Sequence, residues 1–219
     1  MLASLFATAV PSMDKKSQSL STLLAEIRAC RLCAEHLPHG VRPVLRMGPK
    51  AKLLVAGQAP GLRVHNSGLP YNDPSGERLR AWMAVPREIF YDETLVAIVP
   101  MGFCFPGYDE MGADLPPRPE CVRSWHDRLF AAAPKFDLVL AIGAYAHRYH
   151  LQGRAKKTVG ETVRAWRDYG RVIPLPHPSW RNNGWLRKNP WFESELVPHL
   201  RECVQTAVSS ARSSSRASR

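Results

Sequence analysis

Leu53-Leu54-Val55-Ala56-Gly57-Gln58-Ala59-Pro60-Gly61 passes from four apolar residues straight into a loop holding two Gly and a Pro. Four apolar side chains in a row, without polar alternation, fit a short strand covered on both faces, as in a parallel sheet. The glycines behind it let a backbone approach a ligand closely. Three further runs repeat the pattern: Thr94 to Val99, Leu138 to Ile142 stopped by Gly143, and Arg171 to Leu175. Helical segments fill the intervals. Ser21 to Cys30 follows a face set by Leu20, Leu23, Leu24 and Ile27; Glu77 to Val85 comes next; Arg118 to Ala133 is opened by Pro119. A helix from Ala144, one over Thr162 to Asp168, and Asn189 to Val208 begun by Pro190 complete the series. Strands alternating with helices predict the α/β class: a three-layer α/β/α sandwich around a short, mostly parallel four-stranded sheet.

In such sheets ligands bind outside the carboxyl ends of the strands. The loops after Gly57, after Pro100 and at His177 therefore belong to one edge. A single domain over residues 18–208 is expected, between a disordered N-terminus, 1–17, and a basic, disordered tail, 209–219, of Ser, Ala and Arg only.

Charge narrows the partner. The chain of 219 residues has 30 Lys and Arg against 19 Asp and Glu, a formal net charge of +11. Between 146 and 190 stand ten basic residues, Arg148 to Lys188, and two acidic ones, Glu161 and Asp168. Such a local surplus favours a polyanion, nucleic acid first and acidic membrane second. No stretch approaches the length of a membrane span. Met1 to Pro11 lacks the basic start of a secretory signal, so a cytoplasmic location is expected, and the protein is expected to be a monomer.

Within the basic segment lies His177-Pro178-Ser179-Trp180-Arg181-Asn182-Asn183-Gly184-Trp185. Two prolines argue against a helix or a central strand, which predicts an ordered loop at the sheet edge. One reading is a surface loop merely rich in Trp. The other is a binding loop, in which His177 stabilises an anionic oxygen on a leaving group. Trp180, Trp185 and Leu186 then wedge into a base stack while Arg181, Arg187 and Lys188 meet phosphates. Upstream, Gly68-Leu69-Pro70-Tyr71-Asn72-Asp73-Pro74-Ser75-Gly76 offers Tyr71 as a stacking ring and Asp73 to polarise a water. A helix-packing Tyr and a structural Asp turn would explain the same residues. Base removal requires rotating the base out of the duplex, with a wedge, a stacking ring and a polar pocket. Candidates for each are present.

Cys30 and Cys33 form a C-x2-C pair, Cys104 and Cys121 lie 17 apart, and Cys203 is left over in an apolar helix. Four thiolates suit zinc or a cubane iron–sulfur cluster, and spacing alone separates neither from the other nor from a site with no metal.

The GQAPG loop after the first strand, the GLPY segment, the four cysteines and the HPSWRN loop together resemble the uracil-DNA glycosylase superfamily, closest to its iron–sulfur branch, family four. The resemblance runs from Cys30 to about Leu186. It implies a glycosylase that hydrolyses the N-glycosidic bond of a flipped uracil or other deaminated base in single- or double-stranded DNA. It implies a structural 4Fe-4S cluster on Cys30, Cys33, Cys104 and Cys121, with zinc as the alternative. Gly57, Ala59, Pro60 and Gly61 would then frame the substrate, Tyr71 stack on uracil, and His177 stabilise uracil O2. The residues after HPS, Trp180 to Leu186 with Asn182 among them, would enter the duplex, and Ser179 of the motif itself joins them at the DNA. Two positions depart from the family. Gln58 stands where the loop usually carries Glu, a catalytic position that an amide cannot serve as a base. Pro100 stands where an amide side chain usually reads the base, which leaves Asp73 and Asn72 as the neighbouring candidates. The rival class is a non-catalytic iron–sulfur nucleic-acid-binding module of the same fold. A hydrolase of free nucleosides is a third, against which the Trp-rich basic loop argues.

Overall fold

A computed structural model describes residues 19–216; the segment 1–17 expected to be disordered lies outside them. In chain order, α1 spans Leu20–Arg28, β1 Leu53–Ala56, α2 Leu62–Ser67, α3 Pro74–Met83, α4 Arg87–Phe90 and β2 Val96–Ile98. α5 (Pro119–Cys121) continues through a π-helical turn, Val122–His126, into α6 (Asp127–Ala132). Then follow β3 (Leu138–Ile142), α7 (Gly143–His150), α8 (Val159–Arg164) and β4 (Val172–Leu175). α9 (Asn183–Lys188) and a π-helical turn at Phe192–Leu196 lead into α10 (Val197–Arg216).

The four strands form one sheet in the order β2-β1-β3-β4, and every pairing is parallel. An antiparallel bridge, Arg46 to Ile98, lies against β2 and occupies main-chain groups that a bare edge would leave open. Period-two alternation sorts the strand residues between two cores. Leu53, Val55, Val96, Ile98, Leu138, Leu140 and Ile173 face α3, α8 and α10. Leu54, Ala56, Ala97, Val99, Val139, Ala141 and Val172 face α1, α6 and α7. All five residues of β3 are buried, as the unbroken apolar run requires of a strand covered on both faces.

Four differences from expectation stand out, the first being that the stretch from His177 to Trp185, expected as a loop throughout, passes into α9 at Asn183, where both prolines are already behind it. The Gly/Pro/Asn-rich connection after Gly61 contains α2. α3 starts at Pro74 rather than Glu77, because Asp73 caps it: its Oδ1 accepts the Gly76 N–H at 2.8 Å, and Pro74 fills the first turn. Residues 209–216, expected in a disordered tail, continue α10. Ala207, Val208 and Ala211 are buried there, so an apolar stripe with a core to pack on sustains the helix through a Ser/Ala/Arg composition.

Close packing fixes where the site can form. A Cβ on Gly76 would collide with the Tyr71 carbonyl oxygen, so α3 lies against the Tyr71 backbone only because Gly76 has no side chain. Gly76→Ala is expected to lower unfolding stability by about 1–3 kcal/mol, the range of an overpacked core, when denaturant melts of both proteins are compared. An unchanged midpoint would mean that α3 does not bear on Tyr71.

Candidate active site

The loops at the carboxyl edge line one cavity of about 730 Å3. Gly57, Gln58, Ala59, Pro60 and Gly61 come from the loop after β1, and Pro100 from the loop after β2. His177, Ser179, Trp180, Arg181 and Asn182 come from the loop after β4, and Tyr71 and Asp73 from the turn before α3. Loop backbones are tied to one another. The Met101 N–H donates to Gly57 O and the Gly102 N–H to Gln58 O, each at 2.9 Å, so the β1–β2 ladder continues into the site. At the other end His147, buried, lies 3.0 Å from Ala141 O and 3.1 Å from Leu175 O through its Nε2. Burial lowers its pKa, and the neutral ring braces the ends of β3 and β4 two residues before His177.

Tyr71 has φ 55°, the left-handed region that non-glycine residues seldom occupy and that recurs at functional sites. Its ring stands edge-on to Phe90, with centroids 6.0 Å apart. A Cβ on Gly57 would lie 2.5 Å from the Tyr71 hydroxyl, so the glycine makes room for this phenol. Burial, helped by the negative charge of Asp73, pushes the Tyr71 pKa up and keeps the ring neutral. Asp73 both caps α3 and lines the cavity, so its structural turn leaves it facing the loops at the carboxyl edge. Asn72 is turned elsewhere: it does not line the cavity, and its Oδ1 accepts from Arg87 at 3.1 Å.

His177 is half-buried, and burial pushes its pKa down. Arg181 acts in the same direction, while the carboxylates of Asp73 and Asp114 oppose it. The imidazole is therefore neutral at neutral pH, able to donate an N–H without bringing a full charge into the cavity. Asn182 Nδ2 donates to His177 O at 2.7 Å, and Arg78 of α3 donates to Ser179 O (3.2 Å) and Asn183 Oδ1 (2.7 Å). This bracing by Arg78 was not legible in the sequence, because 101 residues separate it from Ser179.

The three residues expected as a wedge differ in exposure. Trp180 is 74% exposed at the cavity rim, with the Arg181 guanidinium 5.9 Å from its ring centroid. Trp185 and Leu186 instead pack against the core, Trp185 edge-on to Trp191 and Phe192. They anchor the loop because their apolar surface is covered by neighbours in the fold. Arg187 and Lys188 are exposed on α9, outside the cavity. Part of the basic surplus is partnered within the fold: Arg171 donates to Phe136 O at 2.7 Å, Arg167 pairs with Glu195, and Arg164 lies over Trp191.

One wall was missed by sequence reasoning. Tyr108 and the run Gly112, Ala113, Asp114 and Leu115 also line the cavity. The available signal was the pair Gly107 and Gly112 around Asp109, a turn composition between Cys104 and Pro116.

Cys30, Cys33, Cys104 and Cys121 all line a second cavity of about 20 Å3, which shares no lining residue with the first. Trp125 Nε1 donates to Cys30 Sγ (3.3 Å) and the Phe103 N–H to Cys121 Sγ (3.4 Å). Burial pushes the Cys104 thiol up to about 11 and the Cys121 thiol to about 12, with the other cysteines adding repulsion. Gathered thiolates are stable only around positive charge, so this donor set with its N–H···S contacts fits a cationic group. Among the described residues no three His, Cys, Asp or Glu side chains are close enough as they stand to hold a metal ion. Cys203 lies apart, 3.3 Å from His199 Nε2.

The parallel four-stranded α/β fold thus has its cavity at the carboxyl edge, lined by a glycine loop and an exposed Trp. A family model of the uracil DNA glycosylase superfamily matches residues 46–201, and the chain belongs to that superfamily. The match includes Tyr71, His177, Cys104 and Cys121, while Cys30 and Cys33 precede it. The superfamily comprises glycosylases that act on DNA. Among the described residues no helix is long and apolar enough to cross a membrane.

Proposed function

We propose that the protein is a monomeric DNA-repair glycosylase that hydrolyses the N-glycosidic bond of a flipped uracil or another deaminated base. The observation that carries this reading is a neutral His177 and a neutral Tyr71 in one cavity, rimmed by the exposed Trp180. A flipped base stacks on the Tyr71 ring while its edge meets the Gly57–Gly61 backbone. As the bond from C1′ to the base nitrogen breaks, electrons flow into the base and negative charge gathers on its carbonyl oxygen. The His177 N–H is placed to stabilise that oxygen. Asp73, fixed as a cap, presents negative charge to the cationic sugar, and the Gln58 amide orients groups without accepting a proton. Trp180 fills the space that the base vacates, while Arg181, Arg187 and Lys188 contact phosphates.

Cys30, Cys33, Cys104 and Cys121 would hold a structural 4Fe-4S cluster, as in the iron–sulfur branch, or zinc in its place. Such a group ties the segment after α1 to α5, and no step of the hydrolysis passes through it. The test is a substrate panel: single- and double-stranded oligonucleotides carrying uracil, hypoxanthine or xanthine opposite each base. An abasic product from at least one is expected. Affinity should fall with salt along a log–log slope of about −2 to −3, as three phosphate contacts require. Tight DNA binding without an abasic product from any substrate would instead establish the non-catalytic module, the reading that Gln58 favours.

A further inference from the structure

Gln58 leaves hydrolysis without a proton acceptor on the glycine loop, and Asp73 is half committed, because its Oδ1 holds the Gly76 N–H at the start of α3. A second carboxylate faces the same cavity. Asp114 stands on the turn from Tyr108 to Leu115, which closes on itself. Tyr108 and Asp114 form an antiparallel bridge, Leu115 N–H donates to Gly107 O at 2.9 Å, and Asp109 N–H donates to Ala113 O at 2.8 Å. The two aspartates of this turn are used differently. Asp109 Oδ1 accepts the N–H groups of Met111 (3.0 Å) and Ala113 (2.8 Å), so it shapes the turn. The Asp114 carboxylate accepts no hydrogen bond among the described residues, is exposed to solvent and lines the cavity. A Cβ built on Gly61 would lie 3.9 Å from Asp114 Oδ2, which sets this oxygen over the loop that carries Gln58. Asp114 and Asp73 both act on the charge of His177, so all three groups serve one reaction volume.

We propose that Asp114 is the general base of the glycosylase reaction, supplying from the facing turn the function that Gln58 cannot. This rests on the glycosylase reading above. The two carboxylates divide their roles by their partners: Asp73, held by the Gly76 N–H, faces the cationic sugar, and the uncommitted Asp114 takes a proton from water. The balance is that of a hydrolysis. The bond from C1′ to the base nitrogen breaks with its electron pair leaving on the base. Water oxygen bonds to C1′, one water proton passes to Asp114, and that proton is returned through solvent to the departed base.

Single-turnover excision of the best substrate from the panel, with DNA affinity measured in parallel, tests the assignment. Asp114→Asn is expected to reduce the excision rate by about 10²-fold, the lower end of general-base contributions, with affinity for the same DNA within twofold. Glu110→Gln removes an exposed charge from the same turn, outside the cavity, and should leave the rate unchanged. Added formate should restore about tenfold of the rate to Asp114→Ala, since a small carboxylate can take the place of the missing proton acceptor. A rate within threefold of the parent for Asp114→Asn, or equal losses in Asp114→Asn and Glu110→Gln, would overturn the assignment while leaving the glycosylase reading intact. A parent protein that excises no base would remove both.

Discussion

His177→Ala is expected to slow single-turnover base excision by about 10²–10³-fold, the effect of deleting one donor aimed at a developing oxyanion, while DNA affinity changes by less than twofold. The separation follows from where the imidazole sits. It is half-buried in the cavity, whereas the exposed groups of its loop, Trp180 and Arg181, are those placed to meet DNA. His177→Asn retains an N–H donor and should recover part of the loss. The pH dependence has a definite sign. Burial holds the folded-state pKa below the ordinary imidazole value, so the neutral donor persists as pH falls through about 6.5, and excision shows no histidine inflection there. In stability the unfolded chain takes up the His177 proton first. The contribution of this residue is therefore favourable above about 6.5 and is lost as pH falls towards the lower folded value. Denaturant melts from pH 7 to 5 should show the parent losing stability faster than His177→Ala over that window. A rate for His177→Ala within fivefold of the parent would remove His177 from the chemistry.

The strands were legible because burial on both faces leaves an unmistakable mark: five apolar residues in β3 and four in β1, each run closed by glycine. The loops of the cavity could be named for the same reason, since a parallel sheet fixes the edge at which they meet. Contacts joining residues distant in sequence were not legible. Nothing in Arg78 announces that it will hold Ser179 and Asn183, and nothing in Trp185 distinguishes it from Trp180 until Phe192 and Trp191 cover one and leave the other in solvent. Asp114 escaped notice because the turn from Tyr108 to Leu115 carries no periodicity. Its place over Gly61 is a fact of tertiary packing alone. Asp73 is the instructive middle case. Its two explanations competed on the page of sequence, yet one carboxylate oxygen satisfies a helix cap while the residue still lines the cavity.

Cys121→Ala is expected to produce a protein without visible charge-transfer absorbance and with a melting temperature lower by about 10 °C or more. Binding energy of a structural metal group is folding energy, on the order of 10 kcal/mol for small thiolate sites, and one kcal/mol moves the midpoint of a domain this size by about 2–4 °C. Position adds to the effect. Cys121 is buried in the core cluster with Phe103 and Leu129, and its sulfur accepts the Phe103 N–H, so a group held by the four sulfurs would join the C-x2-C segment behind α1 to α5. Cys203→Ala is the matched control. That thiol is half-buried on α10 beside His199, outside the tetrad's cavity, and its loss should cost about 1 kcal/mol with the visible spectrum unchanged. Since the cysteine cavity and the base cavity share no residue, excision per folded molecule of Cys121→Ala should fall far less than in His177→Ala. Equal melting temperatures and spectra for Cys121→Ala and Cys203→Ala would exclude a metal group in the tetrad. Zinc and a colourless parent protein would replace the cluster with a single ion held by the same four sulfurs.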